Sequence, residues 1–94
     1  MQIPEFLKST YTMLSETFPN GICEEDYWII LYLLYDYMSD ENLALIMSFF
    51  IDKPVEIIAN DIYGVCHMEL DSEVLNEVEN RLNKFGFEEW KDEN

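Results

Sequence analysis

The sequence predicts an all-α fold, a compact bundle of four to six helices. Apolar residues recur at helical spacing along most of the chain, and acids gather where the periodic segments begin. No Asn-Gly turn joins alternating strands. Hydrophobic residues make up 49% of the chain and aromatics 15%, too rich for a disordered acidic tail. A length of 94 residues accommodates one core, so residues 1–94 read as a single helical domain with a short acidic end at 91–94.

The first helix is expected from Pro4 to about Thr17. Pro4 suits a first turn, and Ile3, Phe6, Leu7, Thr10, Leu14 and Phe18 share one face. Phe18-Pro19-Asn20-Gly21 closes it, because Pro19 disfavours the helical region at Phe18 and Gly21 turns freely. A second helix starts at Glu24. Glu24, Glu25 and Asp26 fill its first turn, where the macrodipole favours negative charge. Tyr27 to Tyr35 is apolar nearly all round, the mark of a helix surrounded by others, with its tyrosine hydroxyls reaching the rim.

Ser39 is a natural N-cap for a third helix, followed by Asp40 and Glu41. Leu43, Ile46, Met47 and Phe50 form its buried face. Asp52-Lys53-Pro54 ends that helix and starts a fourth, with Asp52 near the cap and Pro54 early. Val55, Ile58, Ile62 and Val65 fit one face, while Asn60-Asp61 and Gly64 leave open whether residues 54–68 form one helix or two. Asp71 or Ser72 caps the last helix, which carries Val74, Leu75, Val78, Leu82 and Phe85 and stops at Gly86. Glu77 with Arg81 and Asn80 with Lys84 stand at i,i+4, the first pair in the favourable order for an ion pair. Phe87 and Trp90 are expected to fold back on the bundle.

Charge narrows the classes of partner. From Ser9 to Asp52 there is no Lys, Arg or His, but there are eight acids: Glu16, Glu24, Glu25, Asp26, Asp36, Asp40, Glu41 and Asp52. Over the whole chain 20 acids face 5 bases, a net charge of -15. Such a field attracts cationic surfaces and repels nucleic acid and anionic lipid. Tyr27 to Tyr35 is too short to span a membrane, and no predicted helix offers the basic face of a surface-bound one. The N-terminal residues lack a basic region and a small-residue cleavage site. The expectation is therefore no export, a cytoplasmic location, and Cys23 and Cys66 as reduced, largely buried thiols.

No catalytic or cofactor-binding motif stands out, and neither a cofactor nor a metal is expected. Cys66 and His67 are neighbours, which on a helix point about 100° apart, and no acid or amide is placed to orient the imidazole. Zinc ligand spacing is missing, and Asp36-Tyr37-Met38-Ser39-Asp40-Glu41 and Asn60-Asp61-Ile62-Tyr63-Gly64 both fail the calcium-loop pattern. Carboxylate pairs at Glu24-Glu25-Asp26 and Asp40-Glu41 are accounted for as helix starts.

What stands above background is acid with aromatic. Tyr27, Tyr32, Tyr35 and Tyr37 accompany Glu24, Glu25, Asp26, Asp36, Asp40 and Glu41. Tyrosine offers stiff contact area with a polar tip, and carboxylates pair with Arg and Lys across an interface. The competing account places these tyrosines in the core and makes the acids a solvated face.

The expectation is a non-enzymatic acidic binding protein with a basic protein partner, an immunity-type inhibitor masking the basic active cleft of a nuclease toxin. In composition, though not in motif, the chain is similar to acidic, tyrosine-bearing immunity proteins of bacterial nuclease toxins. The candidate partner-binding residues are Glu24, Glu25, Asp26, Tyr35, Asp36, Asp40 and Glu41. Two alternatives stand beside it. One is a nucleic-acid mimic blocking a DNA-binding protein. The other is a regulatory or scaffolding module, including a homodimer, with an exposed apolar patch on helix one or around Phe87 and Trp90. Under every reading, screening by salt or mild acidification is expected to stabilise the free protein.

Phe18-Pro19-Asn20-Gly21-Ile22, Asp26-Tyr27, Leu33-Leu34, Ser39-Asp40-Glu41, Asp61-Ile62, Val78, Leu82 and Gly86-Phe87 follow one another in a familiar order and spacing. Over roughly residues 18–87, and most closely over 18–41, the chain resembles a small helical bacterial family, domain of unknown function 3349. It departs from that pattern where the family has proline at the position of Cys23 and Trp-Pro at Phe87-Glu88. The resemblance implies an all-helical bundle and brings no activity or site residue. It also implies that Phe18, Pro19, Gly21, Asp26 and Tyr27 form a structural corner.

Overall fold

Short-range chemistry sets the helix starts. The Ser39 hydroxyl accepts from the Asn42 N–H at 3.1 Å, and the Asp71 carboxylate accepts from the Glu73 N–H at 2.9 Å and the Val74 N–H at 3.4 Å. Each cap satisfies backbone donors that the first turn leaves free. Two stops are glycines: Gly21 at φ +97° and Gly86 at φ +92°, a region costly for any residue with a Cβ.

The computed structural model describes residues 2–93 and is all-helical, with six α-helices and no strand among those residues. A 3-10 turn, Glu5–Leu7, leads into α1 (Lys8–Thr17). Next come α2 (Glu24–Leu34), α3 (Asp40–Ser48), α4 (Val55–Val65), α5 (Ser72–Asn83) and α6 (Phe87–Glu93). The buried apolar side chains form one cluster to which every helix contributes, including Leu14, Leu34, Ile46, Ile58, Leu82 and Phe87. The radius of gyration, 12.2 Å, matches the roughly 12 Å expected of a close-packed chain of this length.

The most extensive pairing is α3 on α4. Helix α2 packs against α4 and α5, and α1 against α5 and α6. Helices α2 and α4 run in the same direction, since Glu24 meets Lys53 at their starts and Tyr27 meets Asp61 farther along. Arg81, near the end of α5, reaches Asp26 near the start of α2, so that pair is antiparallel. Arg81 also donates to the Thr17 carbonyl at 3.1 Å, satisfying the C-terminal turn of α1, and lies 4.6 Å from the Phe18 ring centre.

Several details differ from the sequence-based expectations. Pro4 precedes the 3-10 turn instead of opening α1, and Phe6 of the expected stripe is exposed. Pro54 is itself the N-cap of α4, and Asp52 lies outside it. The open question of one helix or two resolves to a single helix over residues 55–65, with Ile58, Ile62 and Val65 buried as expected and only Val55 of that stripe exposed. Arg81 pairs with Asp26 and not with Glu77, because α2 lies within its reach and offers a half-buried partner. Phe85 stands exposed at the turn into α6, while Phe87 and Trp90 take the buried places. Lys91, Asp92 and Glu93 belong to α6 instead of forming a separate end, and residue 94 lies outside the described residues.

Both cysteines are free and exposed, where buried thiols were expected. Cys23 is the N-cap of α2 and Cys66 the C-cap of α4, positions that helix ends hold at the surface. Since α2 and α4 are parallel, the two thiols sit at opposite ends of the pair. Among the described residues no helix is long and apolar enough to cross a membrane.

Candidate functional site

Helix α2 divides the candidate residues into two groups. Glu24, Glu25 and Asp26 open it, while Tyr35, Asp36, Asp40 and Glu41 follow its last turn. From Glu25 to Asp36 the helical rise is roughly 16 Å. The structure therefore does not bring the seven together into one contact patch. The groups occupy opposite ends of the same helix.

At the starting end the acids are engaged within the fold. Glu24 accepts from the Trp28 indole at 3.3 Å and from Lys53 at 3.4 Å. Asp26 meets Arg81 at 3.7 Å. Glu25 is exposed and has no base beside it among the described residues. Beneath lies a group that the sequence did not announce. Tyr27, wholly buried, donates to Asp61 at 2.7 Å, and Lys53 donates to the same carboxylate oxygen at 3.1 Å. The Lys53 ammonium also lies 4.3 Å from the centre of the Tyr27 ring and 5.1 Å from that of Trp28.

Burial, reinforced by the hydrogen bond and charge of Asp61 and by the charge of Glu24, pushes the Tyr27 phenol far above its ordinary pKa. Burial opposes the charge on Lys53, but Asp61 and Glu24 together outweigh it and raise the ammonium. This makes a tightly held structural tie. The expectation that the tyrosine hydroxyls reach the rim therefore fails at Tyr27, whose hydroxyl is met inside the bundle. One signal was available: Asp61 stands three residues after Ile58 and beside Ile62, on the edge of the core-facing stripe of α4.

The other end of α2 is different. Asp36 and Glu41 are exposed and Asp40 half-buried, and none of the three has a basic partner among the described residues. Tyr35 is half-buried, and its ring centre lies 6.0 Å from that of Tyr32, which is 38% exposed. The Asp36 charge first, then desolvation and Cys66, raise the Tyr35 phenol. Tyr37 turns instead toward α6, edge-on to Phe87 and Trp90, where Lys91 covers the Phe87 ring at 4.7 Å. The hydrogen bond from Lys91 to Glu88, acting against partial desolvation, raises that ammonium.

The whole surface repeats this imbalance. Lys8, Lys53, Arg81 and Lys91 pair with five acids, leaving fifteen carboxylates without a base at ion-pair distance among the described residues. Cys66 donates to the Tyr63 carbonyl at 3.4 Å, and no side chain among the described residues orients the exposed His67. Among the described residues no three His, Cys, Asp or Glu side chains gather to hold a metal ion. A surface hollow of about 760 Å³ is lined by Gln2, Ile3, Pro4, Tyr11 and Thr12 with the Glu5–Lys8 ion pair, 2.8 Å long. It collects no pair of carboxylates and no imidazole.

Comparison with protein-family models, with curated proteins and with solved structures found no match. The likeness to domain of unknown function 3349 thus rests on the residues quoted for it alone.

Proposed function

We propose that the protein is a non-enzymatic binding protein of the cytoplasm, an immunity-type inhibitor that masks the basic active cleft of a nuclease toxin. The observation that carries this reading is the end of α2, where Asp36, Asp40 and Glu41 have no basic partner among the described residues and Asp36 follows Tyr35, whose ring lies beside that of Tyr32. Carboxylates left uncompensated on a folded surface are available to lysines and arginines of a partner. The neighbouring tyrosines supply contact area at low entropic cost.

Inhibition would be competitive. Carboxylates would occupy positions that substrate phosphates take, and the long-range field would speed encounter. The two groups of candidate residues then have unequal weight. Glu24 and Asp26 already neutralise Lys53 and Arg81, so Tyr35, Asp36, Asp40 and Glu41 contribute the larger part and Glu25 adds a peripheral charge.

Capture on the immobilised protein at low salt, followed by a salt gradient and a nuclease assay of the eluate, tests the proposal. The expected outcome is one basic protein in stoichiometric amount, whose nuclease activity disappears when the free protein is added back. Asp36→Lys with Glu41→Lys should slow association at least about tenfold and change dissociation little. Affinity indifferent to both salt and charge reversal rejects the reading. Recovery of a DNA-binding protein without nuclease activity favours the mimic instead.

A further inference from the structure

A groove of about 350 Å³ runs between α1 and α6. Met13 and Trp90, both buried, form its floor, and Phe85, 42% exposed, stands at its edge. Glu16 lines it from α1, and Glu89 and Glu93 from α6. The one base in its lining, Lys8, is held by Glu5 at 2.8 Å, and no ion pair among the described residues involves the three glutamates. At Gly86 the wall is bare backbone, where only the Glu89 carboxylate would approach an added Cβ, at 3.8 Å.

An apolar floor between acids of one sign selects its occupant. A second copy of this chain, with a net charge of -15, would bring carboxylates against carboxylates. A small cation would leave the floor and Phe85 without a role. We infer that this groove docks a basic segment of a partner protein. One apolar side chain of that segment lies on Met13 and Trp90, and flanking lysines or arginines reach Glu16 on one side and Glu89 and Glu93 on the other. The inference does not depend on the reading at the end of α2, since it uses none of those residues.

Trp90 supplies the reporter. In the full chain carrying Trp28→Phe it is the sole tryptophan, and its emission can be followed while a short synthetic peptide is added. The peptide has leucine flanked on both sides by lysines. A saturable change is expected, and Glu16→Gln, Glu89→Gln and Glu93→Gln together should weaken binding roughly tenfold. Glu56→Gln, Glu69→Gln and Glu77→Gln remove the same charge elsewhere and should leave affinity within about twofold. Equal weakening by the two sets would reduce the effect to the general field and overturn the inference. So would a peptide with serine in place of leucine that binds as tightly, or the absence of any saturable signal. Circular dichroism of each variant verifies that the helices are intact, which the conservative Glu→Gln changes favour.

Discussion

Burying the Tyr27 hydroxyl without a partner would cost about 1–3 kcal/mol, and Asp61 supplies that partner at 2.7 Å. Asp61 in turn accepts from Lys53 at 3.1 Å. The three groups have unequal alternatives, which ranks their substitutions. Tyr27→Phe leaves Asp61 with Lys53 and should cost about 1–2 kcal/mol, whereas Asp61→Ala strands a buried hydroxyl and should cost about 2–4 kcal/mol, both read from urea unfolding. A larger loss for Tyr27→Phe would mean that Asp61 is not the principal partner. The pH dependence has a definite sign. Tyr27 and Lys53 are both held above their ordinary values of 10.0 and 10.5 in the folded protein, so their contribution is complete below those values. It is lost as pH rises through the folded values, because the unfolded chain releases its protons first. Stability should fall in alkaline solution, and less steeply in Tyr27→Phe. This tie escaped the sequence reading because it joins residues 34 apart in the chain. The acids and tyrosines of the candidate surface were legible as residue types. Which acids remain available was not, since that depends on where Lys53 and Arg81 reach.

At the level of helices, the three glycines make opposite predictions. Gly64 lies in the last turn of α4 with nothing within 4 Å of an added Cβ, so Gly64→Ala should stabilise by about 0.5–1 kcal/mol. Gly21 and Gly86 sit at positive φ, and alanine at either should cost about 1–2 kcal/mol even though neither site is crowded. Thermal melts should move in opposite directions, by roughly 4–8 °C per kcal/mol for a chain of this size. A Gly64→Ala variant that melts lower would show that α4 needs flexibility at its end. The same comparison explains why helix starts and stops were readable. Ser39, Asp71, Gly21 and Gly86 act on backbone groups within a few residues, so the local sequence holds the whole cause. Gly64 left one helix or two open, and one forms because the glycine penalty, about 1 kcal/mol against alanine, is smaller than the gain from burying Ile58, Ile62 and Val65. That gain belongs to packing against α2 and α3, and no local signal carries it. The exposed cysteines misled for a related reason, since a preference for burial is overruled when the residue caps a helix at the surface.

Over the whole molecule, attraction and repulsion between charges can be weighed against each other. The five ion pairs are mostly exposed and contribute on the order of 0–1 kcal/mol each, and salt weakens them. Against them stand fifteen carboxylates without a base at ion-pair distance among the described residues, packed into a body measuring 33 × 30 × 26 Å. The Debye length is about 30 Å at 0.01 M salt and about 8 Å at 0.15 M. At the lower salt nearly every carboxylate therefore feels every other, and at the higher salt only its neighbours. Unfolding moves these charges apart, so repulsion relieved on unfolding destabilises the compact state most when salt is scarce. The melting temperature should rise as sodium chloride is added, most steeply below about 0.15 M, where the screening length falls through the size of the molecule. Removing Lys53 with Lys53→Met would sharpen the rise by deleting the best-buried attraction while leaving its ring contacts an apolar partner. A melting temperature that falls steadily with salt would mean that the few pairs outweigh the many lone acids. In that case the field at the end of α2 would be weaker than its composition implies, and association with a basic partner would lose its salt dependence with it.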